Sequence, residues 1–404
     1  MPSFEEARRI ILESVPVLGA EVVPLLDAVG RVLAADIAAP RDLPAWNNSA
    51  MDGWAVRAED AVPGARLRLA GFIPAGSAAG DDLARGTAVR ILTGAPLPAG
   101  ADTVVPLEEA EEREGQLEVS ALVRPGAHVR SRGEDVRAGE TVMVAGTVVG
   151  PAEVSLLASC SRLAPAVVRR PRVAILSTGD ELLAPGEPLA PGKIHDSNGL
   201  AVAAAVVQAG ALPTVLGVAR DDRAALEAML REGLEADVLV TTAGVSMGDR
   251  DYVRDVLQEL QVRQVFWKVD IKPGRPTTFA LRGKTPVFSL PGNPVATLLT
   301  FEEFVRPALL RMMGHRRVFR PLATATLDDE VRHRPGRVQL LRVRLERRGA
   351  ELHARTSGPQ DTSFLMTQLR ADGIALIPSA WGTVAPGTRV EVQVLRPGFE
   401  LGEG

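Results

Sequence analysis

Between residues 171 and 314, four short apolar runs (173–176, 214–218, 238–241 and 287–290) each lead straight into a polar loop. The loops are Ser177-Thr-Gly-Asp-Glu181, Ala219-Arg-Asp-Asp222, Ala243-Gly-Val-Ser-Met-Gly-Asp-Arg-Asp251 and Ser289-Leu-Pro-Gly-Asn-Pro294. Amphipathic or apolar helical patterns separate the runs. In residues 223–234, Leu226, Met229, Leu230 and Leu234 fall on one side, and the alanine-rich 201–209 reads as a closely packed helix. Alternating β and α elements with nearly all-apolar strands predict a mostly parallel sheet covered on both faces. Ligands of such sheets bind outside the carboxyl ends of the strands, so all four loops are expected on one rim.

The loop chemistry points to phosphate. Gly179, Gly244, Gly248 and Gly292 permit tight turns that bring backbone N–H groups close to a ligand. Such groups favour anionic oxygens, especially before a helix N-terminus. Ser177, Thr178 and Ser246 add hydroxyl donors. The segment Lys268-Val-Asp-Ile-Lys272-Pro-Gly-Arg-Pro276 holds two of only four lysines in the chain. Read as an extended strand, it points Lys268 and Lys272 to the same side, and Arg275 adds a third cation. The acidic groups Asp180, Glu181, Asp221, Asp222, Asp249 and Asp251 supply the opposing charge, a combination that suits magnesium shared with phosphate oxygens. Asp222 also stands where it would cap the helix 223–234.

The rest of the 404 residues exceeds what one core accommodates. Ser3-Phe-Glu-Glu6 reads as a capping box opening a helix. Residues 42–141 have short alternating runs broken by Gly and Pro, the texture of a small β-rich domain. Pro151 suits the first turn of a helix reaching about residue 159. Asn293 and Pro294 suit the N-cap and first position of a helix over 295–313. Strand patterns return at 338–345 and 389–395. The expected domains are 1–41 with 142–170 (mixed), 42–141 (β-rich), 171–317 (α/β) and 318–404 (C-terminal β). Three turns in the first half stand out: Asn47-Asn-Ser-Ala-Met-Asp52 with its carboxylate, Arg90-Ile-Leu-Thr93, and Arg130-Ser-Arg-Gly-Glu-Asp135.

Composition excludes several classes. A net charge of −4 gives no global field for nucleic acid, and Arg169–Arg170 and Arg347–Arg348 read as solvated faces. Cys160 is the single cysteine and five histidines lack metal-binding spacing, so disulfides and cysteine-rich zinc sites are not expected. No apolar run is long enough to span a bilayer and the N-terminus lacks signal-peptide character, so a cytoplasmic location is expected.

Eight motifs in order, Ser49-Ala-Met-Asp-Gly53, Leu92-Thr-Gly-Ala95, Arg132-Gly-Glu-Asp135, Ser177-Thr-Gly-Asp-Glu-Leu182, Asp196-Ser-Asn198, Gly244-Val-Ser-Met-Gly-Asp249, Lys272-Pro-Gly-Arg-Pro276 and Leu290-Pro-Gly-Asn-Pro294, make the chain resemble the MoeA family over nearly its whole length. The family includes the E domains of gephyrin and of the plant molybdenum-insertion protein. The resemblance implies a multidomain α/β protein with a central molybdopterin-binding fold, a small β-rich domain, an N-terminal mixed domain and a C-terminal β-barrel-like domain. It implies transfer of molybdenum from molybdate to adenylylated molybdopterin, with release of AMP and with Mg2+ as cofactor. It implies a homodimer whose active site combines the α/β domain of one subunit with the β-rich domain of the other. It is also compatible with a transient contact with molybdopterin adenylyltransferase.

On this reading Asp52, Asp135, Glu181 and Asp251 are catalytic, with Glu181 and Asp251 as metal ligands. Substrate contacts come from Thr93, Ser177, Thr178, Gly179, Asp180, Asp196, Ser197, Asn198, Asp221, Gly244, Ser246, Gly248 and Asp249. They continue with Lys268, Lys272, Pro273, Gly274, Arg275, Pro276, Pro291, Gly292, Asn293 and Pro294. Two residues depart from the family pattern. Ala243 stands where a second glycine is usual, which matters if the backbone needs positive φ there. Arg275 replaces the commoner lysine and offers a planar fork in place of a point charge. The competing readings are a molybdopterin adenylyltransferase, which lacks the large N-terminal and C-terminal segments, and a non-catalytic scaffold like gephyrin.

Overall fold

The computed structural model describes residues 1–219, 222–243 and 252–396. The chain divides into two compact units. One holds residues 1–34, 148–150 and 165–404; the other holds 35–147 and 151–164.

The second unit is built on a six-stranded sheet, in the order Thr103–Pro106, Gly53–Val56, Thr87–Ile91, Arg66–Ile73, Gln116–Val119, Ala110–Arg113. Only the Thr87–Ile91 and Arg66–Ile73 pair runs parallel. Strand side chains alternate between faces, and both faces are covered. Trp54, Val56, Ala88 and Val105 fall in one core, Ala55, Val89, Ile91 and Val104 in another. The helix Pro151–Ser159 begins at its proline as expected. Cys160 is buried with Ala39 and Val136.

In the first unit the helix Phe4–Ser14 opens with the expected capping box, Ser3 and Glu6 satisfying each other's backbone N–H. The α/β sheet runs Leu212–Ala219, Arg172–Thr178, Val238–Thr242, Thr285–Leu290, Thr278–Arg282, Arg263–Phe266. The first four strands are mutually parallel, Thr278–Arg282 runs against them, and Arg263–Phe266, antiparallel to it, returns to their direction, so the mostly parallel sheet is present. Val173, Ile175, Val238 and Val240 pack on one face with Val202 and Val206 of the helix Asn198–Gln208. Ala174, Leu176 and Leu239 pack on the other with Leu226 and Leu230 of Arg223–Gly233.

The helix expected over 295–313 is interrupted. Residues Pro294–Thr300 and Arg306–Met312 are α-helical, but Phe301–Val305 forms a π turn in which the Arg306 N–H reaches back five residues to the Phe301 carbonyl. Pro307 cannot donate to the carbonyl four residues back, and a widened turn accommodates that loss.

The strands Leu322–Leu327, Val338–Arg348, Glu351–Thr356, Gly373–Ile377 and Arg389–Val394 close into a five-stranded barrel. Val338–Arg348 pairs with Gly373–Ile377 to complete the circle. No helix among the described residues is long and apolar enough to cross a membrane.

Candidate active site

The strand Arg172–Thr178 ends in the first predicted loop. Gly179 has φ +145°, and a Cβ there would meet the Glu181 carboxylate at 2.6 Å. Only glycine lets Glu181 fold back over its own turn. Asp180 and Glu181 are exposed, and the Lys193 ammonium donates to the Asp180 carbonyl. Ser177 and Thr178 differ from expectation. Both are buried: the Thr242 hydroxyl donates to Ser177 Oγ at 3.0 Å, and the Thr178 hydroxyl donates to the Thr242 carbonyl at 3.3 Å. They lock two neighbouring strand ends together, and the structure does not present their hydroxyls to the rim.

The turn 196–198 joins this rim to the last loop. Asp196 is buried and accepts from the Gly199 N–H at 3.0 Å. Ser197 is exposed just before the helix Asn198–Gln208 and makes no side-chain cap. Asn198 donates to the Gly292 carbonyl at 2.7 Å. Pro291 accepts from the Thr297 hydroxyl at 2.6 Å, which fixes the start of the helix Pro294–Thr300. Asn293 occupies the N-cap position without a side-chain bond. Gly292 is needed for close approach: a Cβ there would lie 3.2 Å from that of Ala243.

Ala243 itself has φ +65°, so its backbone does adopt the conformation in which a methyl is strained. Asp222 caps its helix as expected, accepting from the N–H groups of Ala224 and Ala225. The expectations for Asp221, Gly244, Ser246, Gly248, Asp249 and Asp251 lie outside the described residues.

The cationic segment is not the extended strand expected. Arg263–Phe266 ends before Lys268, and only Ile271–Lys272 pairs again, parallel to the barrel strand at Val338 and Gln339. Residues 267–270 turn instead, because Val269 N–H donates to the Arg275 carbonyl at 3.0 Å and closes a loop through a cis Lys272–Pro273 bond. Lys268 and Lys272 therefore do not share a face by strand alternation. Gly274 packs on the helix Pro294–Thr300, where a Cβ would meet Thr300 Cγ2 at 2.3 Å, and Thr277 donates to the Gly274 carbonyl at 2.6 Å. Pro276, half-buried, leads into the strand Thr278–Arg282. Among the described residues neither lysine nor Arg275 pairs with a carboxylate, and the Arg275 Nε is buried without a partner.

In the other unit, one Asp52 oxygen accepts from both the backbone N–H and the hydroxyl of Thr93, each at 2.7 Å. These bonds, and then Arg90, hold the carboxyl below its usual range. Asp135 is exposed, its N–H donating to the Leu43 carbonyl at 3.1 Å. The preceding Arg132 is joined to Asp42 by an ion pair and to Asn47 through its N–H. Asn47 thus links the Asp52 segment to the Asp135 turn, with Trp46 exposed beside it.

Sequence reasoning missed Arg342, the largest fully buried side chain among the described residues. It donates to the carbonyls of Pro359 and Asp361, while its Nε and Nη1 have no partner. Burial pushes its pKa down to about 10, with Asp361 opposing, so it stays charged near neutrality. The signal was available: Arg342 lies two residues from Leu340, on the strand side that packs against the α/β core. The same 359–362 loop meets the start of the helix Pro294–Thr300, since the Thr362 carbonyl accepts from the Val295 N–H at 3.2 Å.

Comparison with known proteins gives a consistent result over the whole chain. The family described as "MoeA N-terminal region (domain I and II)" matches residues 2–161, "Probable molybdopterin binding domain" matches 174–311, and "MoeA C-terminal region (domain IV)" matches 324–395. A Mycobacterium tuberculosis protein named molybdopterin molybdenumtransferase 2 is 39% identical over 403 residues, covering 97% of this chain and 99% of its own. A Haemophilus influenzae molybdopterin molybdenumtransferase is 33% identical, covering 97% of this chain and 98% of its own. The crystal structure of a molybdopterin biosynthesis MoeA protein from Pyrococcus horikoshii superimposes with a TM-score of 0.86 at 32% identity, covering 98% of this chain and 99% of that one.

Proposed function

The chain belongs to the MoeA family, and on that premise we propose that its substrate is adenylylated molybdopterin, which it converts with molybdate to molybdenum cofactor and AMP. The coarser statement stands without that detail: it is an enzyme that transfers molybdenum to molybdopterin in cofactor biosynthesis. The adenylyltransferase and scaffold readings are not favoured, because the relatives that match from end to end carry the molybdenumtransferase name.

One observation carries the finer reading. Lys272 and Arg275 lie in one closed loop that Lys268 adjoins, all three unpaired with any carboxylate among the described residues, and that loop packs on the helix behind the 289–294 turn. Half-buried Lys268 and Arg275, with the exposed Lys272 beside them and no carboxylate partner among the described residues, suit a ligand that brings its own negative charge. Phosphate oxygens would meet the turn at Gly292–Asn293, the adenylate the neighbouring loops, and molybdate the basic loop.

Magnesium fits the donor set in a limited way. Glu181 offers an exposed carboxylate at a strand end. That suits an ion held by one or two carboxylates with phosphate and water oxygens, with Glu181 and Asp251 as its protein ligands. When bound, it would stabilise charge on the phosphoanhydride. Asp52 and Asp135 would orient the attacking water. In this proposal they act in a homodimer, each subunit contributing them to its partner's reaction. The cytoplasmic location and a transient encounter with the adenylyltransferase belong to the same proposal.

The test is direct. Purified protein given adenylylated molybdopterin, molybdate and magnesium should release AMP and yield cofactor that reconstitutes an apo-molybdoenzyme, and chelation should stop both. AMP release without molybdate dependence, or adenylylation of molybdopterin by ATP, would overturn the reading.

A further inference from the structure

Trp267 sits between the strand Arg263–Phe266 and Lys268. The Lys268 ammonium lies 3.8 Å from the centroid of its ring, and the Arg254 guanidinium, from the helix Tyr252–Glu259, lies 5.7 Å from the same centroid. One half-buried indole therefore holds two cations. Lys268 adjoins Val269, whose N–H closes the loop carrying Lys272 and Arg275. A ring face attracts an ammonium without cancelling its charge. A carboxylate in that place would hold the lysine equally well but would have to be displaced by an incoming anion. The ring also restricts a long, rotamer-rich side chain before the ligand arrives, which lowers the entropy cost of binding.

We propose that Trp267 is a positioning residue that keeps Lys268 ordered for an oxyanion of the reaction, either the substrate phosphate or molybdate. The inference rests on the functional reading above, in which Lys268 contacts an anion.

The experiment titrates AMP and, separately, sodium molybdate into the intact protein by calorimetry. It compares wild type, Lys268→Ala, Trp267→Leu, the double variant and Trp267→Phe, each with its melting temperature. Lys268→Ala and Trp267→Leu should each weaken one of the two ligands by about 3- to 10-fold. The double variant should be no weaker than Lys268→Ala alone, and Trp267→Phe should recover most of the affinity. The KM for molybdate, or for adenylylated molybdopterin where AMP is the ligand weakened, should rise while kcat holds within about twofold.

Independent, multiplying losses would overturn the proposal, since a merely structural tryptophan behaves that way. Wild-type affinity in Trp267→Leu beside a weakened Lys268→Ala would overturn it while leaving the anion role of Lys268 intact. Should Trp267→Leu unfold, Trp267→Phe decides: a loss smaller than that of Lys268→Ala supports the proposal, and a loss that multiplies with Lys268→Ala sinks it. If wild type binds neither ligand, the functional reading falls too.

Discussion

Thr93 gives Asp52 two hydrogen bonds on a single oxygen, from its backbone N–H and from its hydroxyl, both at 2.7 Å. This holds an exposed carboxylate in one orientation and below its usual pKa. A lowered carboxyl pKa means the charged form is retained down to and below the ordinary value of 3.8, so Asp52 should add no acidic limb to a pH–rate profile above about pH 5.

Asp52→Ala should therefore lose activity by about 100-fold or more with a nearly unchanged melting temperature, because the side chain is exposed. Thr93→Val keeps the backbone donor and should lose less. Full molybdenum insertion by Asp52→Ala, measured as AMP release, would remove it from the mechanism.

Ala243 holds φ +65° at the end of the strand Val238–Thr242. Ala243→Gly should raise stability by about 0.5–1 kcal/mol, because relief of the left-handed strain outweighs the added freedom of the unfolded chain. Urea unfolding measures it; a lower midpoint would show that the methyl contributes packing worth more than the strain.

Gly274→Ala should destabilise by roughly 2–3 kcal/mol, since the added methyl meets Thr300 Cγ2 at 2.3 Å and φ is +101°. Thr300→Ser removes that methyl group, so the double variant should regain part of the loss in thermal denaturation. No recovery would place the conflict elsewhere.

Glu303 is buried in the π turn, paired with Arg8 and receiving a bond from Gln393. Arg8 also lies 3.9 Å from the Phe4 ring centroid. Burial pushes the Glu303 carboxyl up, and Arg8 opposes that shift. Arg8→Met should cost about 3 kcal/mol near neutral pH by leaving a buried charge unpaired. A raised folded pKa favours the protonated form, so the stability it contributes is present below the unfolded value of 4.5 and lost as pH rises through the folded value. The variant's deficit should shrink as pH falls from 7 toward 5, followed by chemical denaturation at each pH. A deficit independent of pH would show that Glu303 is not its source.

The sequence alone determined the element types and their order. Nearly all-apolar runs leading into polar loops mark the strands of the α/β sheet, and local capping chemistry marks Ser3, Asp222 and Pro151. These are short-range effects: side-chain period, backbone propensity and neighbouring hydrogen bonds act within a few residues. It also identified the loop motifs that become the rim, joined by the bond from Asn198 to Gly292. Only the tertiary structure decided which polar groups face outward. Ser177 turns to Thr242, Lys268 rests on Trp267 instead of alternating along a strand, and Arg342 is buried beside the 359–362 loop. Those outcomes depend on partners brought together by packing and, for Arg342 and Thr242, far away in the chain, which no local pattern encodes.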